Sequence, residues 1–203
     1  MGKPIAFACS RNSPGKRDAT GAFMPEAQAW CKENHGILHP LDPDIGMNTM
    51  RNYVLKVLEL AGPAPSYAFF CHGWATGMQL GFKGSADAAL LGKALAKANP
   101  DCAVIFYCCS TGQGFARQVA AAGPDIEVWS HTSRGHTTRN PMLAWSMGDT
   151  TIDLWENLTR QQKARLRRLM AGPERLRLAQ HGPSDLLALL RAPEEPSDPP
   201  TVA

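Results

Sequence analysis

Apolar residues along this chain follow two rhythms. Short unbroken runs, KPIAFACS over 3–10, YAFFC over 67–71, CAVIFYCC over 102–109 and IEVWSH over 126–131, have the length and continuity of strands buried on both faces. ILHPL over 37–41 and MLAWSM over 142–147 are further strand candidates. Between these runs the spacing changes to that of helices. MNTMRNYVLKVLELAG over 47–62 puts Met50, Val54, Val57, Leu58 and Ala61 on one helical face, and Gly62 with Pro63 stops it. PEAQAWCKENHG over 25–36 starts with Pro25 in its first turn and ends at Gly36. SADAALLGKALAKANP over 85–100, with Ser85 as its cap, and QGFARQVAAAG over 113–123 complete the set.

Strands that alternate with helices and are apolar throughout imply right-handed crossovers and a parallel sheet covered on both sides. The expected fold is α/β, a three-layer sandwich with a mainly parallel sheet over residues 1–150. From 151 the pattern turns helical, in LTRQQKARLRRLMAG and PSDLLALLR, which predicts a short helical C-terminal extension over 151–191. The proline-rich APEEPSDPPTVA, 192–203, is expected to be disordered.

Composition narrows the class. At 203 residues, 44% hydrophobic and 19% charged, the chain suits one sizeable core with appendages. No apolar run reaches the roughly 18–20 residues of a membrane span, and the N-terminal run is too short for an export signal. A cytoplasmic location is expected, with no membrane partner. Six cysteines, Cys9, Cys31, Cys71, Cys102, Cys108 and Cys109, form no regular disulfide framework and are expected to be reduced. The net charge of +3 is accounted for by Arg160, Lys163, Arg165, Arg167, Arg168, Arg175 and Arg177, opposed over that stretch by Glu174. This basic patch is read as a solvated helix face rather than a nucleic-acid surface.

Candidate chemistry gathers at the strand ends, where open parallel sheets bind ligands. His72 and Gly73 follow YAFFC; Cys109 and STG follow VIFYC; the loop SHTSRGHTTRNP follows IEVW. If the strands ending in His72 and Cys109 are neighbours, the imidazole can take the thiol proton and later protonate a leaving amine. The helix beginning near 113 would lower the thiol pKa through its dipole. Gly73 would let a substrate carbonyl approach the backbone, and the Gly73 and Cys109 amides would hold the oxyanion. Cys71 and Cys108 are expected in the core, and Trp74, Trp129 and Trp145 are read as core anchors.

A strand ending in HG, a helix, and an apolar strand ending in CSTG together resemble the caspase-fold cysteine peptidases of clan CD, including the bacterial CHAT proteases. The matching residues are His72, Gly73, Cys109 and Gly112. The resemblance implies a caspase-like catalytic domain over 1–150. It also implies a His72–Cys109 dyad hydrolysing peptide bonds through a thioacyl enzyme, without a cofactor or metal, on a peptide or protein substrate. A regulatory or activating partner would be in keeping with such an enzyme. The 37-residue interval between His72 and Cys109 is compact for that group. In this reading the loop SHTSRGHTTRNP, 130–141, borders the substrate cleft, where Arg134, His136 and Arg139 are candidate contacts for an acidic substrate group.

Other readings stay open. Ser110 in CCSTG would be the nucleophile of an α/β-hydrolase elbow, although His181 is the only late histidine. STGQG before a helix would cradle a phosphate, without a P-loop lysine. A caspase-like fold lacking activity would act by binding partners. A metal held by His72, Cys109, His131 and His136 would come without any CxxC pair or HExxH helix.

Overall fold

The structure, a computed structural model, describes residues 2–10 and 23–191. Residues 11–22 and the tail 192–203, the latter expected to be disordered, lie outside the described residues. Nine of the ten expected segments are recovered close to their predicted bounds. These are β1 (Ile5–Cys9), α1 (Phe23–Asn34), β2 (Ile37–Leu41), α2 (Met47–Leu60), β3 (Ser66–Phe70), α3 (Gly84–Ala98), β7 (Ala103–Tyr107), β8 (Glu127–His131) and β9 (Leu143–Met147). The tenth, α4 (Phe115–Ala122), begins two residues later than its sequence suggests. Asp87, rather than Ser85, closes the start of α3, its Oδ2 accepting the Lys83 amide at 2.8 Å.

The expected mainly parallel sheet is present; with a further strand β10 (Thr150–Asp153), it has seven strands among the described residues, in the order β10-β9-β8-β7-β3-β1-β2. Parallel pairing joins β2, β1, β3, β7 and β8. Strands β9 and β10 are antiparallel. Pro40 is tolerated in β2 because β2 is an edge, where a missing amide leaves no ladder bond unmade. A small hairpin sheet, β4 (Gly73–Trp74), β5 (Gly77–Met78) and β6 (Phe82–Lys83), fills the link between β3 and α3.

Chain direction across the sheet decides which face each helix covers. The chain steps from β1 outward to β2, then reverses through β3 to β7 and β8, so right-handed crossovers put α1 on one face and α2, α3 and α4 on the other. The second face is filled by a ladder of stacked rings, Phe7, Phe69 and Phe106, with centroids 5.3 and 5.2 Å apart and Phe115 of α4 edge-on at 5.8 Å. On the first face Trp30 of α1 packs on Phe70, which stacks on Tyr107 at 4.7 Å.

Helix α1 alone cannot cover that first face. The rest is covered by the C-terminal residues: α5 (Arg160–Ala171), a 3-10 stretch (Pro173–Gln180) and α6 (Pro183–Arg191). The 3-10 stretch lies against α1, β7 and α5, and the Tyr107 hydroxyl donates to the Arg175 carbonyl at 2.6 Å. Leu166, Met170, Leu176, Leu178, Leu186 and Leu190 are all buried in the common core. Residues 151–191, expected as a helical C-terminal extension, are helical from Arg160 onward and pack as part of the third layer. Their first residues also belong to the sheet, since β10 runs to Asp153. Among the described residues no helix is long and apolar enough to cross a membrane.

Candidate active site

The register between β3 and β7 sets the site. Phe70 pairs with Tyr107, and the rings of both project to the α1 face. One residue further, Cys71 and Cys108 point to the other side, buried with thiols 3.4 Å apart, as expected for core cysteines. Two residues beyond the Phe70–Tyr107 pair, past the ends of both strands, stand His72, whose ring lies on the α1 side, and Cys109, at a turn. Because β3 and β7 are paired parallel neighbours, His72 and Cys109 both follow their strands at the same edge of the sheet.

Phe23, the first residue of α1, stands edge-on to the His72 ring at 5.0 Å. The backbone of His72 is held in the hairpin link: its amide donates to Gln79 Oε1 at 3.3 Å, and its carbonyl accepts the Gln79 amide at 2.9 Å. That second bond makes Gly73 and Met78 a non-hydrogen-bonded pair, which turns the Gly73 amide away from the hairpin.

Gly73 is required for a reason other than substrate approach. A Cβ at this position would lie 2.7 Å from Cys108 Cβ, 2.7 Å from the Cys109 carbonyl oxygen and 2.9 Å from Thr111 Cγ2. The two strand ends touch there, and only a residue without a side chain fits. Gly112 is likewise pressed on β8, where a Cβ would come within 2.8 Å of Ser130 Oγ.

Cys109 is half-buried at a sharp turn. Ser110 after it adopts a left-handed backbone, φ 57°, which for a residue with a side chain is held only by its surroundings. Here the Ser110 amide donates to the Ser133 carbonyl at 3.2 Å, and Cys109 Sγ lies 3.7 Å from the Gly135 carbonyl as donor. The loop after β8 thus grips the Cys109 turn from the side. A 3-10 turn over Thr111–Gln113 separates Cys109 from α4, and the first amide of α4, Phe115 N, is taken by the Ala75 carbonyl at 2.8 Å. The helix start expected directly behind Cys109 is therefore displaced and already partnered.

The other candidates divide. Arg134, His136 and Arg139 are exposed on the loop, and Arg134 and His136 flank the Gly135 carbonyl that holds Cys109. His131 is buried and its Nε2 lies 2.9 Å from the Thr137 carbonyl; burial pushes its pKa down to about 4. It is a structural partner of the loop. No group of three or more His, Cys, Asp or Glu side chains among the described residues is arranged to hold a metal. Trp129 is buried, and Trp145 packs partly buried against the core.

Sequence reasoning missed one part of the neighbourhood. Arg175, counted in the basic patch, is almost buried, its side chain 12% exposed, and pairs with Glu26 of α1 at 3.1 Å. Its Nε donates to Thr138 Oγ1 at 3.0 Å, and the Thr138 hydroxyl donates to Glu26 at 2.6 Å. Burial pushes the Glu26 carboxyl up, but the Thr138 bond and the Arg175 charge outweigh it and hold it below the usual value. A lone arginine in a basic stretch carries no sequence signal for this. Arg177 pairs with Glu33 of α1, and Lys163 and Arg167 lie over the Trp155 ring at 5.3 and 4.8 Å.

Compared with known proteins, the chain matches no protein-family model and no curated sequence.

Proposed function

We propose that the protein is a cysteine endopeptidase of caspase-like type, with Cys109 as nucleophile and His72 as its acid–base partner. The observation that supports this reading is the parallel pairing of β3 with β7, whose C-terminal ends lead, at one sheet edge, to His72 and to the half-buried Cys109. The Cys109 sulfur bonds to the carbonyl carbon of a peptide as its proton passes to His72. The oxyanion so formed is held by backbone amides, for which Gly73 and Cys109 are the candidates. The carbon–nitrogen bond breaks as His72 gives its proton to the amine. Water, losing a proton to His72, then cleaves the thioester, and the thiol is restored.

Arg134 and His136, exposed on either side of Gly135 at Cys109, and Arg139, exposed on the same loop, are suited to an acidic group on the substrate. Cys31, Cys71, Cys102, Cys108 and Cys109 stand as thiols, which fits the reducing cytoplasm in which we place the enzyme. Activation by a partner protein belongs to the same proposal.

A second reading keeps one specific observation in its favour. The left-handed Ser110, between a strand and a helix, has the sharp turn expected of a serine nucleophile elbow. The experiment that separates the two is cleavage of a broad peptide library by the wild type and by Cys109→Ala, His72→Ala and Ser110→Ala. Cleavage lost with Cys109 and His72 but kept by the Ser110 variant supports the cysteine peptidase. Cleavage retained without Cys109 overturns it.

A further inference from the structure

Around the Cys109–His72 edge, one buried polar cluster touches both halves. Glu26 lies one turn along α1 from Phe23, the residue against His72. Thr138 belongs to the loop whose Ser133 and Gly135 carbonyls engage Ser110 and Cys109. Arg175 joins them: Nη2 to Glu26, Nε to Thr138, and Nη1 to the Gly172 carbonyl at 2.6 Å, while its own carbonyl receives the Tyr107 hydroxyl. Tyr107 is the residue two before Cys109 on β7, so the cluster returns to the strand that carries the thiol.

The loop is buried at its far side and exposed at its near one. Thr137 and Thr138 are buried, the first against His131 and the second in the cluster. Arg134, Gly135 and His136 are exposed. Ser133 is tied to Asn140 and to the Ser110 amide, so residues 137 and 138 are one of two supports that set the Gly135 carbonyl. A planar guanidinium is suited to this, since its fork fixes two acceptors at set angles where an ammonium would fix one.

We infer that Arg175 is a positioning residue for the Cys109–His72 pair: through Thr138 and Glu26 it sets the loop that holds the Cys109 thiol and the helix that walls His72. The C-terminal segment is in this way part of the active-site support. The inference rests on the peptidase reading for its meaning, but its observable, the reactivity of Cys109, is measured without a substrate.

The test is the rate of Cys109 alkylation by iodoacetamide between pH 5 and 9, followed site by site by mass spectrometry. It compares the full-length wild type with Arg175→Lys, Thr138→Val, His72→Ala and a control, Arg177→Ala, whose ion pair with Glu33 lies on the same segment. Arg175→Lys keeps the charge and loses the fork; Thr138→Val removes only the hydroxyl bridge. Displacement of a reacting group by about an ångström can change rates a hundredfold, so a change of about tenfold or more, with a displaced pH profile, is expected in both, the control staying at the wild-type rate. Rates and profiles within about twofold of wild type in a folded Arg175→Lys or Thr138→Val protein would overturn the inference. So would loss of folding in both variants, which would make the cluster structural only. If His72→Ala leaves the alkylation profile of Cys109 unchanged, the peptidase reading fails instead, whatever the Arg175 variants do.

Discussion

The thiols of Cys71 and Cys108 lie 3.4 Å apart in the core, each one residue before a member of the proposed dyad. Their burial and the exposure of Cys109 separate the six cysteines by reactivity. Cys9, Cys71, Cys102 and Cys108 are buried, and burial pushes the Cys102 thiol up to about 12 and the partly exposed Cys31 up to about 11. Brief iodoacetamide treatment of the native protein near pH 8 is expected to modify one site, Cys109. Peptide mapping that finds Cys31 or Cys71 modified as fast would show that the core is not packed as described.

Gly73 is a packing requirement at the junction of β3 and β7. In Gly73→Ala the added Cβ meets Cys108, Cys109 and Thr111 at 2.7–2.9 Å. Overpacking of this kind costs about 1–3 kcal/mol. The expected result is a lower urea midpoint together with loss of selective Cys109 labelling, because the clash falls on the backbone that carries the thiol. Unchanged stability would mean that the two strand ends do not touch.

The C-terminal residues form a layer of the core, and their removal should act on the whole fold. Leu166→Ala, at a fully buried position, is expected to cost about 3 kcal/mol. Unfolding should remain a single transition when followed both by tryptophan fluorescence and by circular dichroism. An early, separate transition for α5 would identify it as an appendage.

Buried His131 gives the protein an acid sensitivity of known sign. Burial pushes its folded pKa down to about 4, whereas in the unfolded chain it titrates near 6.5. The unfolded state therefore binds the extra proton between these values. Stability is full above about pH 6.5 and falls as pH drops toward 4, by about 3 kcal/mol. Glu26, held below its usual value, adds a loss only below the unfolded carboxylate range, so the two windows are distinct. Urea midpoints measured from pH 8 to 4.5 should decline for the wild type below pH 6.5 and decline less for His131→Gln. A flat wild-type profile across that window contradicts the buried, neutral ring.

Most of the sheet was legible in the sequence because strands buried on both faces must be continuously apolar. AVIFY and YAFF could be nothing else at their length, and their neighbourhood followed from the helix between them. The hairpin over 73–83 was not legible, since strands of two residues carry no periodicity. Strand β10, TTID, is too polar and short to stand apart from the helical pattern that follows it. The third layer escaped for a different reason. Arg175 and Arg177 read as surface charges because their acidic partners, Glu26 and Glu33, lie about 150 residues away in the chain. His72 and Cys109 were found because each ends an apolar run. The packing reason for Gly73 was not legible, since a close contact between two backbones leaves the same glycine as a substrate opening would.

The central claim is that Cys109, helped by His72, takes an acyl group from a carbonyl substrate. Its most direct test is intact-mass spectrometry of the protein quenched in acid after mixing with activated peptide esters. The account predicts an acyl adduct on Cys109 that hydroxylamine removes. It should form equally in Ser110→Ala, be absent in Cys109→Ala, and form about 10²–10⁴ times more slowly in His72→Ala. An adduct on Ser110, or one on Cys109 that forms as fast without His72, would contradict it.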